Sequence, residues 1–161
     1  MDKVQAADFY ADPNNSLGYL CRIAFRNFSR ALEKRTLPYG VTAGQWRFLR
    51  VLWLEDGLTQ RELSRRVGMR EPTTVTALKG MEKAALVRRQ QSVEDRRKIH
   101  VFLTPKAKAL QATLAPFIAE VNEIAIQGLS PDEVRMLRRL LQHVGRNLAP
   151  ELEGSSADAP A

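Results

Sequence analysis

Leu86-Val-Arg-Arg-Gln-Gln-Ser-Val-Glu-Asp-Arg-Arg-Lys-Ile-His-Val-Phe-Leu103 is the stretch whose reading decides the fold. Everything around it has helical periodicity; this segment alternates with period 2. Ile99, Val101 and Leu103 fall on one face of an extended strand. The run reads as a β-hairpin with a charged tip at Gln91–Lys98. Upstream, residues 42–54, 59–66 and 72–84 read as three short helices. Helix, helix, helix, hairpin over 42–103 is the order of a winged helix-turn-helix.

The helix boundaries come from capping chemistry. Thr42-Ala-Gly-Gln45 and Thr59-Gln-Arg-Glu62 fit capping boxes, in which a hydroxyl and a side chain three residues on satisfy each other's backbone N–H. Thr104-Pro105 and Ser130-Pro131-Asp-Glu133 place proline at the first helical position. Gly40, Gly57, Gly68 and Gly128 follow periodic segments, where a left-handed terminating residue is expected. Three further helices follow, over about 16–37, 105–127 and 131–148. Each carries an apolar stripe: Leu17, Leu20, Ala24, Phe28 and Leu32; Ala107, Leu110, Leu114, Phe117, Val121 and Ile124; Val134, Leu137, Leu141, Val144 and Leu148. Such stripes must be covered, and a homodimer is the expected cover. Pro116 is expected to kink the long helix. The chain thus divides into an N-terminal arm and first dimerisation helix (1–41), a winged helix-turn-helix (42–104), C-terminal dimerisation helices (105–148) and a disordered tail (149–161). The fold class is mainly α with a small β-hairpin wing.

Composition narrows the function. The 161 residues carry 25 Lys and Arg against 18 Asp and Glu, a net charge of +7. The excess is local: residues 59–108 hold 13 cations against 5 acids. A basic block coinciding with the winged domain points to an anionic partner, nucleic acid first. One Cys excludes an intrachain disulfide, and two His leave little for a metal site. No apolar run approaches a membrane span. Met1 to Asp12 has three Asp and no apolar core of a secretory signal, so the expected compartment is the reducing cytoplasm. No nucleophile–base pair and no glycine-rich phosphate loop argues for an enzyme, and no cofactor is expected.

In a helix-turn-helix the second helix enters the major groove. On the helix at 72–84, Thr73, Thr76, Ala77 and Gly80 oppose the face of Val75, Leu78 and Glu82, with Arg70 just ahead. Small hydroxyl and methyl groups permit close approach to base edges and thymine methyls. At the hairpin tip, Arg96, Arg97 and Lys98 are long cations suited to a narrow minor groove. Asp95 is placed to hold the arginines through charge-assisted hydrogen bonds.

The runs Leu58-Thr-Gln-Arg-Glu-Leu63, Val67-Gly-Met-Arg-Glu-Pro-Thr-Thr-Val-Thr76, Met81-Glu-Lys-Ala-Ala-Leu-Val-Arg-Arg89, Glu94-Asp-Arg-Arg-Lys-Ile99 and Leu103-Thr-Pro105 together resemble the MarR family of bacterial transcription regulators. The likeness extends over about residues 16–148. It implies a homodimer held by the first, fifth and sixth helices, with two winged domains on a palindromic operator. It implies that Arg97 enters the minor groove, that Asp95 orients the wing, and that Arg70, Thr73, Thr76 and Ala77 meet bases. Two positions depart from the family pattern: Pro72 opens the recognition helix, and Lys106-Ala107 replaces a frequent glycine.

The same resemblance implies a small aromatic acid as effector, bound between the dimer helices and the winged domain. Arg26 falls where some relatives grip a carboxylate, with Arg22 one turn earlier. Tyr39, Trp46 and Arg50 supply flat and cationic surface nearby. A repressor released by such a ligand is the leading reading. Peroxide sensing through Cys21 and ligand-independent architectural DNA binding are the alternatives. His143 is a further candidate for an interface or ligand pocket, while His100 lies on the hairpin.

Overall fold

Residues 12–153 are described by the structure, a computed structural model. In chain order they form α1 (Leu17–Thr36), α2 (Ala43–Leu54), α3 (Gln60–Val67), α4 (Glu71–Lys83), β1 (Val87–Gln91), β2 (Ile99–Leu103), α5 (Pro105–Ala125) and α6 (Pro131–Glu153), with single 3-10 turns at Pro13–Asn15 and Leu37–Tyr39. The architecture is a winged helix-turn-helix flanked by longer helices. Its starts are where the caps place them. Thr59 Oγ1 accepts the Glu62 N–H at 3.2 Å while Glu62 Oε2 accepts the Thr59 N–H at 2.9 Å. Thr42 with Gln45 and Ser130 with Glu133 make the same reciprocal pair. Gly40, Gly57, Gly68 and Gly128 all have positive φ.

β1 and β2 pair antiparallel from Val87↔Leu103 to Gln91↔Ile99. Val101 and Leu103 are buried and Ile99 is half-buried, so the expected face of β2 is the inner one. The linker before α3 lies along the other edge of β2: the Val101 N–H donates to the Leu58 carbonyl at 2.8 Å, and the Gly57 N–H to the Val101 carbonyl at 3.0 Å. Gly57, at φ 81°, also leaves room for a ring; a Cβ there would lie 2.7 Å from Phe102 Cε1.

The core is built from Phe48, Leu49 and Leu52 of α2, Leu63 of α3, Leu78 and Met81 of α4, Leu86 and Val101 of the hairpin, and Ala107 and Leu114 of α5. The last two correct an expectation. The stripe of the long helix was expected to await a partner subunit. Instead Ala107 and Leu114 are fully buried in the winged domain's own core, with Leu110, Phe117 and Ile118 packed against it. Trp53 Nε1 donates to the Ala107 carbonyl at 2.9 Å and Lys108 Nζ reaches Asp56 Oδ2 at 3.0 Å, so the first turn of α5 is tied to the end of α2. The chain divides into two compact units within α5, one ending at Val121 and the other beginning at Asn122. α5 continues as helix through Pro116, and α6 continues past 148 and through Pro150 to Glu153. Each of these prolines removes an N–H donor and crowds the carbonyl four residues earlier, and neither ends its helix. The remainder of the tail expected to be disordered, 154–161, lies outside the described residues.

The other two stripes stay open. On α1, Leu17, Leu20, Phe25 and Phe28 are exposed, and only Leu32 packs against the core. On α6, Val134 is buried and Val144 half-buried, but Met136, Leu137, Leu140, Leu141 and Leu148 are exposed.

Candidate nucleic-acid interface

α4 is set against α3 by buried hydroxyls. Gly68 ends α3 in a left-handed conformation, and the Met69 N–H returns to the Ser64 carbonyl at 3.0 Å. The Ser64 hydroxyl donates to the Met69 carbonyl, and the Thr74 hydroxyl donates to Ser64 Oγ at 3.2 Å. Both side chains are buried, so an unpaired hydroxyl there would be costly and the inter-helix angle is well determined. Thr74, Leu78 and Met81 form the inward face of α4. Arg70, Thr73, Thr76 and Gly80 are exposed on the outward side, as expected. Thr76 Oγ1 donates to the Pro72 carbonyl at 3.1 Å, which leaves it an acceptor and a methyl to present outward. Ala77 is the exception. It is half-buried and packs against the core, so its methyl is turned toward the domain rather than into an open groove.

The wing tip is locked by its own hydrogen bonds. The Ser92 N–H donates to the Lys98 carbonyl at 2.9 Å, the Lys98 N–H to the Asp95 carbonyl at 2.8 Å, and Gln91 Nε2 to the Arg96 carbonyl at 2.6 Å. Asp95 Oδ1 accepts both the Arg97 N–H at 3.1 Å and Arg97 Nε at 3.2 Å. The Arg97 side chain, and then its backbone N–H, hold the Asp95 carboxyl below the ordinary aspartate range. Arg97 itself is 92% exposed, so this pair adds little stability; it fixes where the guanidinium starts from. Arg96 and Lys98 are exposed beside it.

Several cations of the basic block are paired with acids. Arg66 pairs with Glu55 at 2.6 Å, Lys108 with Asp56 at 3.0 Å, and Arg89 with Glu82 at 2.7 Å. Arg65, Arg70, Lys79, Lys83, Arg96, Arg97 and Lys98 are exposed on the same unit as α4 and the wing.

The sequence model of the MarR family matches residues 41–99. An HTH-type transcriptional regulator, TtmR of Methylorubrum extorquens (strain PA1), is 30% identical over 129 residues; these are 78% of this chain and 65% of that protein, so the chain spans just under two thirds of its relative's length. A MarR transcriptional regulator from Methanosarcina mazei Go1 is 30% identical, with a TM-score of 0.75 over 81% of this chain and 94% of that one. The chain belongs to the MarR family. A MarR-family structure from Listeria monocytogenes, complexed with 26mer DNA, shares the fold at 20% identity, with a TM-score of 0.79 over 91% of this chain and 99% of that one. The relatives it matches are described as transcriptional regulators.

In this MarR-family chain the effector candidates are distributed over α1, the turn after it and α2. Arg26 and Arg50 are exposed on α1 and α2. Arg22 lies over the Tyr19 ring, 5.2 Å from its centroid. Tyr39 packs against Phe117, centroids 5.8 Å apart. Trp46 is a core residue, set edge-on to Trp53 at 5.3 Å. Its burial follows from its place in the apolar run of α2 and turns its ring away from a ligand approaching from solvent. Cys21 is exposed on α1. His100 Nδ1 sits 2.8 Å from the Gly57 carbonyl, a contact that ties the wing to the linker before α3, while His143 is exposed on α6. Among the described residues no group of three or more His, Cys, Asp or Glu is placed to hold a metal ion, and no helix is long and apolar enough to cross a membrane. Sequence reasoning missed Ser64, Thr74 and Asp56; Ser64 and Thr74 meet across the turn between two helices and Asp56 meets Lys108 from a distant helix, contacts that the periodicity of a single element does not announce.

Proposed function

We propose that this chain acts as a homodimeric transcriptional repressor on palindromic operator DNA and is released by a small aromatic carboxylate. The observation that carries the DNA reading is an exposed arginine at the wing tip held by Asp95, on the same unit as an exposed α4 face of Arg70, Thr73 and Thr76. The helix face suits the major groove and the cations of 96–98 the minor groove. The open apolar faces of α1 and α6 support a dimer, because stripes of that size are seldom left to water. Arg26 and Arg22, exposed on α1, support a carboxylate ligand through charge-assisted hydrogen bonds.

The test is gel shift and fluorescence anisotropy on a duplex selected by the protein from a random pool, with random duplex as control. Binding as a dimer to an inverted repeat is expected. Salicylate, benzoate or a pyridine carboxylate should weaken it roughly fivefold or more, corresponding to a coupling of about 1–3 kcal/mol. Equal affinity for selected and random duplex would refute the operator reading. Sequence-specific binding indifferent to every aromatic acid would leave an architectural or redox-responsive regulator. The redox case is identified by peroxide release that Cys21→Ser abolishes.

A further inference from the structure

Arg89 lies in the basic block and, by charge alone, counts among the cations available to DNA. Its surroundings say otherwise. The side chain is only 22% exposed, and Nη2 lies 2.7 Å from Glu82 Oε2. Nε donates to the same oxygen at 2.9 Å, and the Arg89 backbone N–H donates to Glu82 Oε1 at 3.0 Å. Nη1 extends to Gln60 Oε1 at 3.3 Å. Both carboxylate oxygens of Glu82 are therefore committed to one residue of β1, and that residue also reaches the first residue of α3. Three elements converge on it: α3, the C-terminal turn of α4, and the first strand of the wing.

The covalent path between α4 and β1 is three residues long, Ala84–Leu86, and bends sharply at Ala85, which takes φ 53°, a conformation disfavoured for a residue with a Cβ. The Ala85 and Leu86 N–H groups return to the Glu82 and Met81 carbonyls at 2.9 Å each, so this turn sets the direction in which β1 leaves α4. The Glu82–Arg89 pair adds a side-chain tie across the same turn. Two guanidinium nitrogens converge on one carboxylate oxygen while the Arg89 backbone N–H holds the other, and three contacts to one carboxylate resist rotation as a single ion contact does not.

We infer that Glu82 and Arg89 are positioning residues for DNA binding: their fork, braced by Gln60, holds the wing at the angle to α4 that lets the helix and Arg97 engage the two grooves together. The inference rests on the DNA-binding reading above and adds a role for two residues that touch no DNA.

The decisive test uses signs. Glu82→Gln removes a negative charge beside an anionic polymer. If Arg89 were a direct phosphate contact, that change would free a cation and strengthen binding. If the pair positions the wing, Glu82→Gln weakens binding to the selected duplex, about threefold or more, because the neutral amide is a poorer partner for the guanidinium. The full chain is used, in a salt series, at a temperature where circular dichroism shows each variant folded. Arg89→Ala, Arg97→Ala and the double variant complete a cycle. Positioning through the wing predicts that Arg89→Ala costs several-fold in the wild-type background and little once Arg97 is gone, and that the double variant loses about one unit of salt slope rather than two. A general loss of structure would persist in the Arg97→Ala background and would overturn the inference, as would tighter or unchanged binding by Glu82→Gln, or a two-unit loss of slope. If the wild-type chain binds no duplex, the function reading itself fails, and the clamp's part in it fails with it; additive losses with wild-type binding intact defeat the clamp alone.

Discussion

Leu114→Ala separates the two roles that α5 has to play. Leu114 is fully buried, packed into the core that α2, α3, α4 and the hairpin share. Removing a leucine side chain from such a site costs about 2–5 kcal/mol, the transfer term plus the cavity left behind. Taking about 3 kcal/mol, and a shift of roughly 2–4 °C per kcal/mol for a chain of this size, the melting temperature should fall by about 6–12 °C. The matched control is Leu141→Ala on α6, where the leucine is 50% exposed in the protomer. If a partner covers that exposed half, its loss should cost about 1 kcal/mol at the interface, roughly a fivefold rise in the dimer dissociation constant. Thermal unfolding followed by circular dichroism gives the first quantity and sedimentation equilibrium the second. Leu114→Ala should lower stability and leave the dissociation constant of folded protein unchanged; Leu141→Ala should do mainly the reverse. A Leu114→Ala protein of wild-type stability that dissociates more readily would show that the stripe belongs to a subunit seam after all.

Arg97→Ala should weaken duplex binding and reduce its salt slope by about one, with thermal stability unchanged, since the side chain stands in solvent; an unaltered slope in anisotropy titrations would remove the wing tip from the interface. Gly57→Ala should destabilise by about 1–3 kcal/mol in urea unfolding, because it forces a Cβ into a left-handed conformation and against the Phe102 ring, and wild-type stability would mean that the ring moves freely. The Glu62 carboxyl is held below the ordinary glutamate range, first by the Thr59 hydroxyl and then by the Thr59 N–H. Its folded-state pKa is lower than its unfolded one, so it contributes stability above about pH 4.3 that is lost as pH falls through the folded value. Glu62→Gln keeps the cap geometry but not the titration, and a melting temperature measured between pH 6 and 3 should fall less steeply for it than for wild type; superimposable acid limbs would exclude the effect. Arg26→Ala should abolish release by an aromatic carboxylate while leaving the affinity of ligand-free protein for duplex nearly intact, and an undiminished response would place the carboxylate anchor elsewhere.

Much of this protein was legible because the signals are local. The capping boxes at Thr42, Thr59 and Ser130 join residues three apart, and the glycines at 40, 57, 68 and 128 answer a backbone requirement of their own positions. The period-2 run ending Ile99-His-Val-Phe-Leu103 states its inner face without help from the rest of the chain. The wing tip is also local: Asp95 and Arg97 are two residues apart, and their hydrogen bonds need only the turn between them. Sequence alone therefore determined the element order, the winged helix-turn-helix and the placement of Arg97.

Tertiary structure decided what covers each apolar stripe. An amphipathic helix announces that one face must leave water but not whether its own chain or another will cover it. Leu114 and Leu141 have similar surroundings along their helices, yet the first meets the core of the winged domain and the second remains half in solvent. The same holds for charge. Arg89 and Arg97 are both arginines of one hairpin; only the arrival of Glu82 and Gln60 from two other elements converts the first from a surface cation into a brace. Ala77, placed outward by local pattern, packs against the core through partners that lie elsewhere in the chain, and Trp46, an effector candidate by resemblance, is a core residue. Contacts of long sequence separation are weakly constrained by any short window of residues, and they settle which of several locally acceptable faces becomes the interior.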